Sequence, residues 1–138
     1  MKGRVLFGIF LIIISTACSS PAQTIVSKEV VFYGEGDYWN VSYIFNPELY
    51  EEKKVNWVEI ESKELEFSQA DINNIDIKFE SRDGLITGNV GDMETSIEDN
   101  VISFLVGSVN LESYEQDQYK ITIIFKDKQD FIKLQMNR

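Results

Sequence analysis

Apolar and polar residues alternate with period two in several short stretches of this chain, the spacing of strands that bury one face. In Trp39–Phe45, Trp39, Val41, Tyr43 and Phe45 share one side, with Asn40 and Ser42 on the other. Asn46-Pro47 ends that strand, because Pro has no N–H to give to a ladder. Residues 75–80 and Tyr119–Phe125 alternate in the same way, and Arg82-Asp83-Gly84 predicts a hairpin turn leading into residues 85–90. Residues 29–33, 55–60 and 131–136 supply further strands, with 48–54 read as a helical turn and 126–130 as a polar loop. Residues 101–106 are apolar except Ser103, which fits a central strand covered on both faces or one whose inner face the pattern does not assign.

Seven or eight short strands with turns between them predict an all-β fold. A single antiparallel β-sandwich is expected, with immunoglobulin-like topology favoured over residues 28–138. Its core is expected on Trp39, Trp57, Tyr43, Phe79, Phe104, Ile121 and Ile123. No repeat and no βαβ rhythm is present, so a nucleotide-binding sheet is not expected.

The N-terminus follows a different pattern. Lys2 and Arg4 precede an uncharged apolar run over residues 5–14, too short for the roughly 20 residues of a membrane span. A basic head, a short apolar run and small residues describe a signal peptide over 1–17. Ser15, Thr16 and Ala17 lead into Cys18, the one Cys of the chain. Residues 18–27 are then expected to be the new N-terminus and a flexible tether, with Ser19 to Thr24 small, polar and interrupted by Pro21.

Two features together resemble the small, uncharacterised secreted lipoproteins of Gram-positive bacilli. One is the lipobox ending at Cys18, with Ser15 where Leu is usual. The other is Gly34-Glu35-Gly36-Asp37-Tyr38-Trp39, similar to a Gly-Glu-Ser-x-x-Trp motif, with Gly36 in place of Ser. The resemblance implies lipidation of Cys18 by fatty acyl groups such as palmitate. It also implies a place on the outer, extracytoplasmic face of the cell membrane, and it implies no activity.

Composition narrows the chemistry. The 138 residues hold 13 Lys+Arg against 23 Asp+Glu, a formal charge of −10, with no His. An intrachain disulfide, Cys/His zinc sites and His-based nucleophile systems are excluded, and nucleic-acid binding is not expected of so acidic a chain. Loss of Lys2 and Arg4 on processing makes the domain more acidic still. That acidity is expected to repel anionic headgroups, leaving the acyl chains to do the holding.

Glu35, Asp37, Tyr38 and Trp39 form a candidate binding loop, in which two Gly free the backbone and two carboxylates sit beside aromatic rings. The plainer account turns Trp39 into the core. Asp71, Asn73 and Asp76 space oxygen ligands as a weak candidate metal loop, without the Gly and distant Glu of a calcium loop. The acidic stretches 91–94 and 98–100 read as solvated turns. No catalytic residues and no cofactor are expected. The leading expectation is a membrane-anchored, non-enzymatic interaction module that binds an envelope protein or polymer. The alternative is an acidic lipoprotein binding a cation or small ligand, and a more distant one is a carboxylate-dependent hydrolase.

Overall fold

The computed structural model describes residues 23–64, 66–107 and 112–136. The expected signal peptide, Cys18 and most of the tether lie outside the described residues. In chain order the strands are β1 (Val30–Glu35), β2 (Trp39–Phe45), β3 (Val55–Ser62), β4 (Asp76–Glu80), β5 (Leu85–Asn89), β6 (Thr95–Glu98), β7 (Val101–Gly107), β8 (Tyr119–Phe125) and β9 (Lys128–Met136). One short helix, α1 (Pro47–Lys53), joins β2 to β3.

The fold is predominantly β. All neighbouring strands are antiparallel, and they form one sheet in the order β5-β4-β8-β9-β1-β2-β3-β7-β6, curled into a half-barrel. The seam between β9 and β1 is narrow, pairing Phe32 with Met136 and Tyr33 with Gln135. Curling brings the inner faces of the two halves together. The Tyr43 ring of β2 lies 4.9 Å from Phe79 of β4 and 4.7 Å from Tyr119 of β8, and Phe32 of β1 lies 4.9 Å from Tyr119. Each such fully buried large side chain stabilises the fold by about 1.5–3 kcal/mol, so this aromatic cluster joins the halves more firmly than the short seam does.

Local chemistry explains the ends of the elements. The Asn46 side chain accepts from the N–H groups of Glu48 and Leu49, Pro47 stands where a missing N–H costs nothing, and Lys54 closes the helix at φ 57°. Lys126 and Asp127, at φ 49° and 43°, make the two-residue turn between β8 and β9. Left-handed residues at both positions match the twist of the flanking strands.

The structure corrects several expectations. Trp57 is half-buried on the outer face, because the register that seats Asn56, Val58 and Ile60 inside turns it outward. Strand β7 is not covered on both faces: Ile102, Phe104 and Val106 are buried, while Val101, Ser103 and Leu105 face outward. Thr95–Glu98 forms a strand that the pattern did not reveal, since four residues are too few to establish a period. Residues 128–130 belong to β9 instead of a polar loop, which places Asp130 inside. Finally, Thr24–Val26 are fixed to the domain and not free tether. Val26 N–H donates to the Ser113 carbonyl at 2.9 Å, the Thr24 carbonyl accepts from Glu115 N–H at 2.8 Å, and Val26 is buried.

Candidate functional site

The loop between β1 and β2 is built on a buried carboxylate. Asp130, on the inner side of β9, is only 2% exposed. One of its oxygens accepts from the N–H of Tyr38 at 2.8 Å and of Trp39 at 3.0 Å, and the other from Asp37 N–H at 3.2 Å. Charge-assisted bonds of this kind compensate the loss of water around a carboxylate. The turn is closed by Gly36 N–H donating to the Trp39 carbonyl at 2.7 Å.

Neither glycine is there for backbone freedom, since no Gly among the described residues has positive φ. They are required by close approach. A Cβ on Gly36 would collide with the Asp130 carboxylate, and one on Gly34 with the Lys133 carbonyl. Trp39 drops into the core at 1% exposure, edge-on to Phe125 at 6.1 Å, and half-buried Tyr38 lies under the Lys128 ammonium at 4.7 Å. Glu35 and Asp37 remain exposed. Glu35 accepts from the Tyr33 hydroxyl at 2.8 Å, and that bond raises the Tyr33 pKa. The two carboxylates border a shallow depression of about 350 Å³, together with Lys63, Gln129 and Phe131. Of the four candidate loop residues, the structure thus leaves two carboxylates at the surface and places the rings beneath them.

Asp130 was missed by sequence reasoning, which counted it among turn residues. The signal was present: Ile132 and Leu134 are inward, and extending their period by one step puts Asp130 on the same side.

The candidate metal loop is dispersed into structural roles. The Asp71 carboxylate accepts from Ser68 N–H at 2.7 Å in a capping box. The Asn73 carbonyl and the Asp76 carboxylate both accept from the Asn89 amide, at 2.7 and 3.0 Å. Among the described residues, no group of three or more acidic, His or Cys side chains is placed to hold a metal ion.

The two halves of the sheet differ in the charge on their outer faces, one purely acidic and the other mixed with a slight excess of ammonium groups. Strands β1, β2, β3, β7 and β6 contain Glu35, Glu59, Glu61 and Glu98, and no Lys or Arg. On that outer face Val31, Ile44, Trp57 and Leu105 stand opposite one another across four strands. Two residues further along are Tyr33, Ser42, Glu59 and Ser103, and beyond them Glu35, Asn40, Glu61 and Val101. The face therefore grades from an apolar end to a carboxylate end beside the loop at Asp37. Strands β5, β4, β8 and β9 instead turn Lys78, Lys120 and Lys133 outward together with Asp76 and Glu80, around exposed Leu85, Ile124 and Phe131.

The chain enters at the end of the domain away from the 35–39 loop. Ile25 bridges Tyr114 just ahead of β8. Arg82 locks this corner, donating to Asp117 at 2.8 Å, Asp83 at 3.1 Å and the Glu112 carbonyl at 2.8 Å, with its guanidinium 4.6 Å over the Tyr114 ring.

Comparison with protein-family models, with curated proteins and with solved structures returned no match.

Proposed function

We propose that this protein is a membrane-tethered, non-enzymatic binding module of the cell envelope, held on the outer face of the membrane by acyl groups on Cys18. Its binding surface is the outer face of β1, β2, β3, β7 and β6, and its partner is an envelope protein or polymer segment that carries positive charge. The observation behind this reading is the segregation of charge: five adjacent strands present four carboxylates and no cation around a half-buried Trp57. An aromatic side chain amid aliphatic neighbours, rimmed by charge of one sign, has the composition of a recognition surface. Its carboxylate end continues into Glu35 and Asp37 of the loop that Asp130 holds in place. The resemblance to secreted bacillar lipoproteins supports the tether.

The contacts of β1 and β2 rings with β4 and β8 rings favour treating the two halves as the layers of a sandwich. The sheet order adds no support to immunoglobulin-like connectivity.

Photocrosslinking in whole cells tests the surface. A photoreactive residue at Ser96, outward on β6, is expected to capture a partner that the same residue at Thr87, outward on β5, does not. Reversing Glu59 and Glu61 to Lys should abolish the capture. Equal capture at both positions, or capture that survives the reversal, would refute the assignment.

A further inference from the structure

We infer that the outer face of β5, β4, β8 and β9 is a docking surface for an anionic lipid bilayer, so that the tethered domain lies on the membrane with its acidic face outward. This rests on the tethered reading proposed above and adds an orientation to it. Three observations carry it.

The first is exposure. Phe131 is 74% exposed, Leu85 52% and Ile124 43%, and all three project from this face, Phe131 at the margin where it borders the depression of Glu35 and Asp37. Thr122 pairs with Phe131 and Ile124 with Gln129, which makes Phe131 and Ile124 diagonal neighbours.

The second is charge. Lys120 stands directly between Lys133 of β9 and Glu80 of β4, so one ammonium of the Lys120–Lys133 pair is matched by a carboxylate. Lys78 faces the same way, 3.7 Å from Glu80, and the Asp76 carboxylate accepts from Asn89. Composition alone implies repulsion from anionic lipid, yet this face carries Lys78, Lys120 and Lys133 against Asp76 and Glu80, whereas the other half carries four carboxylates and no cation. At physiological ionic strength fields decay over about 8 Å, so a headgroup layer responds to the nearest face more than to the net charge.

The third is the point of attachment. Thr24 and Val26 are bonded to Glu115 and Ser113, immediately before β8, whose Lys120 lies on the face in question. The stretch from Cys18 to Gln23 reaches no more than about 20 Å when fully extended. A short tether fixed beside β8 keeps this half of the sheet close to the headgroups. Apolar side chains among lysines are the composition of surfaces that settle at the headgroup boundary.

The test uses the full chain reconstituted into vesicles of brominated phosphatidylcholine, with and without phosphatidylglycerol. In the Phe131→Trp variant, the emission added to that of Trp39 and Trp57 is expected to be quenched several-fold more in the anionic vesicles. In a Ser96→Trp variant, on the opposite face, the added emission should be unaffected. Lys120→Glu with Lys133→Glu should return the Phe131→Trp signal to its level in neutral vesicles. Equal quenching on the two faces, or none at position 131, overturns the inference. So does a blue-shifted Phe131→Trp emission without lipid that tracks concentration-dependent dimers, which would assign the face to a second copy. Flotation with the vesicles while position 131 stays unquenched overturns the orientation and leaves the tether standing. Loss of flotation overturns both.

Discussion

Removing the Asp130 carboxylate tests whether this one side chain organises the β1–β2 loop. In Asp130→Ala the buried Trp39 N–H loses its acceptor, which costs about 1–3 kcal/mol for an unsatisfied buried donor. The Tyr38 and Asp37 N–H groups are only part-buried. Water reaches them, so each adds about 0.5–1.5 kcal/mol. The sum is about 2–6 kcal/mol. Asp130→Asn keeps one acceptor oxygen and should lose about half of that. Gly36 gives a second handle, because a side chain there collides with the same carboxylate. Gly36→Ser alone should cost about 1–3 kcal/mol through overpacking. In the Asp130→Ala background only the movable end of the Ile132 side chain still crowds the site, so the double variant should lose at least about 1 kcal/mol less than the two single losses together. Urea unfolding monitored by Trp emission, with the slope m unchanged, reads these values, and hydrogen exchange at residues 37–39 reads the loop directly. An Asp130→Ala loss under about 1 kcal/mol refutes the organising role. Additivity of the two substitutions within about 0.5 kcal/mol would show that Asp130 does not dictate the glycine.

The two tryptophans should separate sharply: Trp39→Ala is expected to cost about 3–5 kcal/mol, and Trp57→Ala, on the outer face, about 1 kcal/mol or less by chemical denaturation. Equal losses would contradict the assignment of faces. Burial raises the Tyr43 pKa above its ordinary 10.0. The unfolded chain therefore ionises first, so the stability this phenol contributes is present below pH 10 and lost as pH rises above it. Melting temperatures measured across that range should fall, and less steeply in Tyr43→Phe; a flat profile contradicts the burial. Calcium titration should release no heat and leave the melting temperature unchanged, since the Asp71 carboxylate is turned toward Ser68.

Eight of the nine described strands were legible, three of them from period two, which encodes a buried face without reference to partners, and the rest from apolar runs and turn residues such as Asp83-Gly84. Period two also placed Trp39 in the core. Trp57 was misplaced because aromatic size outweighed the same rule, which puts it on the face opposite Val58 and Ile60. Asp130 was illegible for a related reason. A charged residue inside a sheet is expected only once its three N–H partners, from a loop some ninety residues earlier in the chain, are known. Strand order and the division of charge between the two outer faces also depend on which strands become neighbours. Composition reports a single net charge, and the fold sorts the strand residues into a purely acidic half and one where Lys78, Lys120 and Lys133 outnumber Asp76 and Glu80.

The tether underlies both the proposed binding role and the orientation on the membrane. Its most direct test is the intact mass of the protein extracted from its native membrane, together with the mass of its N-terminal peptide. The account predicts a chain that begins at Cys18 and carries acyl groups on that residue, and a Cys18→Ala variant that carries none and leaves the membrane fraction. An N-terminus at any other residue, or an unmodified Cys18 in membrane-bound protein, would contradict it.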